Sequence, residues 1–365
     1  MRNAYGMTRR RFVLGVLSVL AVLAAAGACV HDNDDPFDEG LDVDWPTSDP
    51  DRYHWNGLTD PFFEFWSWHV ALGENAGAFS VTMGVANPGS DDAAKRTAFV
   101  QVSGSMLDAP VLREVGVDDF HASAQIRDVK VSGSNGTQSV VHGGAGGVTF
   151  QFNVTIDEGW EDTMGALTNI PAMPLNWHVN ALRARATGSL DVDGETYEFE
   201  SAPAVEDHFW GNVYPSVTMR VLAFDFDDRD ASYVFFGGDL LVGPFQVPLV
   251  GAAFAAGGET LEMRTVDLNA LASMEEDANG DWIIETTRGD LRLRARVLNL
   301  QDEGFPGLAF DEDGLGEGGR VWHDAVVTVE TLERIDELSD WQVVDIATSP
   351  RALFSLGVPT PYQDF

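Results

Sequence analysis

Leu182-Arg183-Ala184-Arg185-Ala186-Thr187 alternates apolar and polar residues, and Leu291-Arg292-Leu293-Arg294-Ala295-Arg296-Val297 repeats the pattern later in the chain. On an extended backbone successive side chains point to opposite faces, so each run offers one aliphatic face and one basic or polar face. Such a pattern specifies a half-buried β-strand. Turn signals surround these runs at Asn135-Gly136, Asp193-Gly194 and Asn279-Gly280, each between alternating or β-branched segments. Asn-Gly and Asp-Gly supply the left-handed backbone that two-residue hairpin turns require. From Asp60 onward no long stretch carries a 3.6-residue period. The reading predicts an all-β chain of well over a dozen strands, too many for one small barrel. Two β-rich halves are expected to meet near Pro203–Asp207. The arginine rows have two readings: ion pairs with acids across strands, or a pocket wall for an anionic head group. Pairing on a solvated face is the ordinary fate of such charge.

The composition sets the electrostatic terms. Against 58 acidic residues stand 22 lysines and arginines, giving a net charge of −36 over 365 residues. Only Lys95 and Lys130 are lysines. Self-repulsion of this size destabilises a compact state and is screened by salt, which points to a saline setting. The same charge excludes nucleic acid as a partner, because that binding depends on neutralising phosphates with basic groups.

At the N-terminus, Met7-Thr8-Arg9-Arg10-Arg11-Phe12 precedes an apolar run from Val13 to Ala26 broken only by Gly15 and Ser18. A basic segment, a short apolar run and small residues before a cleavage point make a secretory signal peptide. The run is short for a transmembrane span. Both a twin-arginine address and a general secretory signal fit it. Ala26-Gly27-Ala28-Cys29 then reads as a lipobox, with Cys29 as the acylated residue and a lipid anchor in the membrane. Cleavage without acylation is the other reading. As the only cysteine, Cys29 leaves no intrachain disulfide framework, so burial alone must hold the fold. Removing residues 1–28 takes away four arginines and no acid, moving the charge from −36 to −40. The expected organisation is a signal peptide over 1–28, an acidic tether over 29–55, β halves over 56–205 and 206–347, and a tail over 348–365.

Several catalytic signatures are hollow. No Gly-x-Ser-x-Gly elbow accompanies the glycine-rich string His142–Gly147, which reads as a hairpin loop. Gly314-x-Gly316-x-x-Gly319 lies in an acidic loop and precedes a strand, so it lacks the helix a dinucleotide fingerprint needs. Asp277-Ala278-Asn279-Gly280-Asp281 lacks the closing glutamate of a calcium loop, since Arg288 stands there. No histidine or cysteine spacing suits zinc. Neither a metal nor a cofactor is expected.

Chemistry concentrates instead in three aromatic-acidic stretches: Asp60-Pro61-Phe62-Phe63-Glu64-Phe65-Trp66-Ser67-Trp68-His69, Pro174-Leu175-Asn176-Trp177-His178, and Ala202–Pro215 with Glu206-Asp207-His208-Phe209-Trp210 at its centre. On strands, Glu64, Trp66 and Trp68 share a face, as do Asp207 with Phe209 and His208 with Trp210. A carboxyl group among indoles is costly to bury unless hydrogen-bonded or protonated, and such surroundings can make a general acid. The bland alternative is a buried polar network that fixes the junction of two halves.

These stretches, with the Asp193-Gly194 hairpin, the segment to Tyr214-Pro215 and the closing Val329-Glu330 step, give the chain its family likeness. It resembles the tocopherol cyclase-like and carotenoid 1,2-hydratase-like superfamily of lipocalin-like proteins, over about residues 56–335. The resemblance implies two lipocalin-like β-barrel or sandwich halves packed at a central junction around an apolar cavity for a hydrophobic small molecule. It also implies an acid that protonates a prenyl alkene for cyclisation or hydration, with aromatic faces steadying the cation. On this sequence the implied catalytic residues are Glu64, Asp207, His208 and Trp210. Trp66, Trp68, Trp177, Tyr214 and Tyr233 are the expected ligand contacts. One reading is a purely structural envelope protein with a filled core and no ligand; otherwise two functions follow, an exported carrier of an isoprenoid- or lipid-like ligand or an isoprenoid cyclase or hydratase. A cavity of roughly 300–1,000 Å³ would serve either, and a titratable group facing it would favour the enzyme.

Screening gives the first test. Thermal unfolding followed by circular dichroism is expected to move to higher temperature as potassium chloride rises from millimolar to molar. A midpoint indifferent to salt would remove the saline reading.

Overall fold

Alternation in the sequence becomes antiparallel pairing in the structure, a computed structural model. It describes residues 51–357 apart from 59–60, 74–75, 161–162, 166–172, 213–217, 243–244, 265–269, 299, 301–302 and 337–338. The signal peptide, Cys29, the tether up to residue 50 and Tyr214 lie outside the described residues. Among the described residues no helix is long and apolar enough to cross a membrane.

Eleven strands form the first sheet: β1 (Phe63–Gly73), β2 (Gly77–Ala86), β3 (Thr97–Gly104), β4 (Val111–Gly116), β5 (Phe120–Ala122), β6 (Asp128–Val131), β7 (Ser134–Thr137), β8 (Val140–Ala145), β9 (Val148–Trp160), β10 (Leu175–Val192) and β11 (Glu195–Gly211). Their order is β4-β3-β2-β1-β11-β10-β9-β8-β7-β6-β5. The second sheet comprises β12 (Thr218–Asp225), β13 (Ala231–Val242), β14 (Phe245–Ala256), β15 (Glu259–Arg264), β16 (Ala270–Glu276), β17 (Trp282–Arg288), β18 (Leu291–Leu298), β19 (Phe305–Asp311), β20 (Gly314–Glu333) and β21 (Gln342–Gly357). It runs β15-β14-β13-β12-β21-β20-β18-β17-β16, with β19 paired to β20. In both sheets the first strand lies between the second and the last. The architecture is all-β, two lipocalin-like curled sheets, and it repeats itself although the sequence does not. Curling brings β4 back toward the strands at the other end of its sheet. Arg113 on β4 donates to the Val131 carbonyl at 3.0 Å and to the Ser134 hydroxyl at 2.8 Å.

Three apolar clusters result. One fills the curl of the first sheet around Trp66, Trp68, Phe79 and Phe152. Another fills the second around Tyr233, Phe235 and Phe354. The third is the seam between them, with Phe65, Trp177, Phe209, Phe236 and Phe310. At the seam a Cβ on Gly251 would lie 2.9 Å from the Trp177 ring, so the missing side chain is what lets the two sheets approach. The β19–β20 hairpin extends from the second sheet over the first. Phe310 stacks on Phe63 and Phe65 at 4.9 and 5.2 Å between ring centres. Lys95 and Asp313 form an ion pair at its tip, 2.9 Å apart.

Several sequence expectations shift. Residues 206–211 stay in the first sheet, so the changeover falls between Gly211 and Thr218, past the expected boundary at 205/206. Ala202-Pro203 does not end the strand because Ser201, at a φ of 51°, forms part of a bulge, where proline is tolerated in a sheet. The expected tail from 348 begins inside β21, whose residues to Gly357 pair with β12 and β20. Leu182 parts from Ala184 and Ala186, facing the seam while they face the first curl, because bulges interrupt the register of β10 between Val179 and Ala184. Most of His142–Gly147 is strand β8 rather than loop. The arginine rows pair with acids: Arg183 with Glu158 and Asp230, Arg185 with Asp157 and Asp230, Arg294 with Glu285 and Glu330. Each exposed pair of this kind contributes about 0.2–1 kcal/mol.

Asp193-Gly194 makes the expected turn, with φ values of 51° and 90°. Asn135-Gly136 does not. The turn falls at Ser132-Gly133, at 42° and 85°, and Gly136 sits inside β7. A Cβ there would lie 2.3 Å from the Trp68 ring. Gly136→Val is therefore expected to cost about 1–3 kcal/mol through overpacking, read from denaturant unfolding. A variant as stable as the parent would show that Trp68 does not pack there.

Candidate functional site

One strand pair decides which polar groups meet. β1 and β11 are antiparallel neighbours, with Glu64 opposite Trp210, Trp66 opposite His208, Ser67 opposite Asp207 and Trp68 opposite Glu206. Alternation then sends Glu64, Trp66, Glu206, His208 and Trp210 into the curl of the first sheet. Ser67, His69, Asp207 and Phe209 go to the seam.

Inside the curl, Glu64 has no solvent exposure. Its Oε1 accepts from His208 Nε2 at 3.0 Å and lies 2.9 Å from His54 Nδ1; its Oε2 accepts the His54 backbone N–H at 2.9 Å. His54 stacks on Trp210 and His208 on Trp66, at 3.9 and 4.3 Å between ring centres. Burial alone would raise the Glu64 pKa, but the two imidazoles outweigh it and hold the carboxyl below its ordinary range. The ligand atoms of His54, Glu64 and His208 lie within 4.8 Å of one another, a spacing a divalent cation could bridge. Both oxygens of the carboxylate already take hydrogen bonds, so the cluster is complete as a network. Nearby, Arg127 spans Asp51 and Glu206. Burial pushes Glu206 up to about 7 despite that arginine.

At the seam, Asp207 is equally buried. Arg220 Nη1 from β12 reaches both its oxygens at 3.0 and 3.3 Å, Trp177 Nε1 from β10 donates at 3.3 Å, and His69 Nε2 from β1 lies at 3.2 Å. Burial would raise the Asp207 pKa; Arg220, then His69 and Trp177, reverse the direction and keep it ionised. Burial lowers the His69 pKa, and the Asp207 charge offsets this only in part. Near neutrality the pair is thus a carboxylate beside a neutral imidazole. An ionised carboxylate only accepts, so His69 Nε2–H donates to it and Nδ1 is left as an acceptor. The Ser80 hydroxyl, 2.7 Å from Nδ1, is then the donor. The three groups form a carboxylate–imidazole–hydroxyl relay.

That relay borders a cleft of about 120 Å³ between the sheets. Ser67, His69, Ser80, Thr82, Arg220 and Arg320 make its polar side, and Phe65, Leu308, Phe310, Val321 and Leu353 its apolar side. It is smaller and more polar than the expected cavity of roughly 300–1,000 Å³, because Phe310 from the β19–β20 hairpin occupies the middle of the seam. A small amphipathic molecule fits this space; a whole isoprenoid does not.

The expected catalytic set is therefore divided. Glu64, His208 and Trp210 lie together in the first curl, while Asp207 faces the seam. Of the expected ligand contacts, Trp66 and Trp68 belong to the first core, Tyr233 to the second and Trp177 to the seam. None of them borders the cleft. His69, Ser80, Arg220 and Arg320 do, and the sequence reading had not singled them out as site residues. For His69 a signal existed, since it stands at an odd number of steps from Glu64 and so on the other face. Ser80, Arg220 and Arg320 carried none.

No protein-family model matches the chain, and no curated protein matches it in sequence. Its structure is similar to that of CghA, with a TM-score of 0.50 at 11% identity, covering 83% of this chain and 90% of CghA. CghA with Sch210972 aligns at 0.50 and 12% identity, over 86% of this chain and 96% of that one. Kievitone hydratase from Nectria haematococca aligns at 0.46 and 14% identity, over 86% and 94%. The likeness is one of fold.

Arg220→Met should expose how far the seam depends on one cation. Leaving a buried charge unpaired costs about 3–5 kcal/mol, and Asp207→Leu together with Arg220→Met is expected to recover most of it. Because the folded pKa of Asp207 is depressed, its contribution is present above the ordinary carboxylate value of 3.8 and is lost as pH falls through the lower folded value. The single variant's deficit should therefore shrink in urea titrations as pH falls below 3.8. A deficit independent of pH would assign the loss to packing.

Proposed function

We propose that this chain is an enzyme that performs proton-transfer chemistry on a small amphipathic molecule in the seam cleft, of the hydration, dehydration or ring-closure kind. The observation that carries the reading is that a titratable ring, His69, borders the cleft with its other nitrogen held by a buried carboxylate. A carrier has no need of such a pair.

The geometry favours a base over the expected acid. Asp207 is ionised and held by Arg220, so its role is to position His69 and to steady positive charge on the ring. His69 takes a proton through the Ser80 hydroxyl, which borders the cleft, from a water or substrate hydroxyl as that oxygen adds to a polarised double bond. The protonated ring returns the proton to the neighbouring carbon; dehydration is the reverse. General-base catalysis of this kind contributes about 10²–10⁴-fold. Glu64, likewise ionised and enclosed by two histidines, does not border the cleft and serves the first curl. The fold shared with CghA carries no function by itself, so the reading rests on the cleft. Membership of the cyclase- and hydratase-like superfamily, export and the lipid anchor at Cys29 complete the proposal. In that setting the substrate meets the protein outside the cytoplasm.

The test uses the full mature chain in high salt. Incubated in deuterium oxide with an organic extract of its host, the enzyme should put deuterium on carbon in a product that mass spectrometry resolves. His69→Gln is expected to lower that product about 100-fold or more, and Ser80→Ala to lower it as well. The wild-type rate should be full at pH 7 and hold through the ordinary histidine value of 6.5, falling only at lower pH, because burial lowers the pKa at which the ring takes up a proton. Unchanged turnover in His69→Gln would overturn the proposal.

A further inference from the structure

The first curl contains a second cluster that the seam chemistry leaves unused. Glu64 on β1 and His208 on β11 stand diagonally across the strand pair on one face, and His54 reaches them from the segment before β1. Glu64 Oε1 lies 2.9 Å from His54 Nδ1 and 3.0 Å from His208 Nε2. All three ligand atoms lie within 4.8 Å of one another. Neighbouring ligands bonded to a cation at about 2.0–2.1 Å are themselves about 2.9–3.4 Å apart. The two short edges of the cluster therefore already have coordination spacing. Hydrogen bonds satisfy these atoms when no ion is bound, and a cation exchanges for the shared protons with little movement of the rings.

Each ligand is held in its pose by a further contact. The His208 ring stacks on Trp66 at 4.3 Å between ring centres, and the His54 ring on Trp210 at 3.9 Å. The other carboxylate oxygen, Oε2, accepts the His54 backbone N–H at 2.9 Å. Outer contacts orient metal ligands, and their loss costs about 10–100-fold in affinity. The donor set selects the cation. Two imidazole nitrogens and one carboxylate oxygen suit zinc and its first-row neighbours, whereas magnesium and calcium take oxygen ligands. Spacing along the sequence hides the set, because 144 residues separate Glu64 from His208.

We infer that His54, Glu64 and His208 form a binding site for a divalent transition cation of the zinc class, and that the bound ion pins residues 51–56 across the first curl. The pinning follows from where the ligands stand in the chain. His54 belongs to a strap whose Asp51 carboxylate accepts from Arg127 at 2.8 Å and Asn180 at 2.6 Å. The Tyr53 N–H of the same strap donates to the Ser123 carbonyl at 2.9 Å. The other two ligands belong to β1 and β11, inner strands of the first sheet. One ion joins the strap to both. Three protein ligands leave at least one position for water.

Zinc and cobalt(II) themselves are the probes, added to the full mature chain after stripping with a chelator and held in molar potassium chloride. Calorimetry is expected to show one zinc per chain, bound at about micromolar concentration or tighter. Cobalt(II) should give the intense visible bands of a centre with nitrogen ligands. His54→Gln, which alters a side chain at the edge of the cluster, should weaken zinc about 100-fold or more. His54→Cys, which offers a thiolate at the same place, should recover part of the affinity. His31→Gln in the tether, and His121→Gln and His142→Gln at exposed positions, should leave it intact. Zinc should also slow trypsin cleavage after Arg52 in the wild type and not in His54→Gln. Absence of stoichiometric binding, undiminished affinity in His54→Gln, or loss of binding in His31→Gln would overturn the site. Cleavage after Arg52 at a rate indifferent to zinc would overturn the pinning.

Discussion

A single buried charge ties the two sheets together. Asp207 is withdrawn from water between them, and an isolated carboxylate in such a place costs many kcal/mol. Its compensation comes from three directions: His69 on the first strand of one sheet, Trp177 two strands away across β11, and Arg220 on the first strand of the other. These donors hold their geometry only if both sheets keep their register and spacing. The glycine at 251, the stacked phenylalanines and the hairpin that overlies the seam all serve that spacing. The polar side of the cleft is what remains when the charge has been satisfied on one flank and left open on the other.

Much of the fold was legible because the period of a strand is short and strict. Two alternating arginine runs, Asp193-Gly194, and the absence of any helical period were enough for an all-β chain in two halves. Where the reading slipped, two physical causes shared one sequence signature. Asn135-Gly136 resembles a turn, yet its glycine makes room for Trp68 inside a strand. Ala202-Pro203 resembles a boundary, yet a bulge at Ser201 absorbs the proline. For the site, the aromatic-acidic stretches did mark β1 and β11, the strands that carry both polar clusters. What they could not give was which cluster met the cavity. Asp207 and His208 are adjacent in sequence and lie on opposite sides of a sheet. Arg220 and Ser80 meet at the cleft only through strand order, and no local pattern records strand order.

The electrostatic arrangement follows from scarcity. With 22 cations against 58 acids, a guanidinium is a resource that the sheets spend mostly on cross-strand pairs at their surfaces. Those pairs steady strands that would otherwise present long rows of like charge. The acids of the interior follow the converse rule: Glu64, Glu206 and Asp207 each sit beside a cation or an imidazole, and the balance between burial and those partners sets the direction of each shift, downward for Glu64 and Asp207 and upward for Glu206.

The shared strand order has a consequence for how the molecule is made. In each sheet the first strand lies against the last, so β1 has one free edge until β11 has been synthesised, and β12 waits in the same way for β21. An unpaired edge is a template for mispairing, and ladders that join distant parts of a chain form slowly. The first sheet can close while the ribosome is still producing the second, but the second cannot close before β21 has emerged. A ribosome stalled or a transcript truncated within the final strand would thus yield a sound first barrel fused to a sticky, half-built second one, a species for which quality-control proteases would be the natural fate.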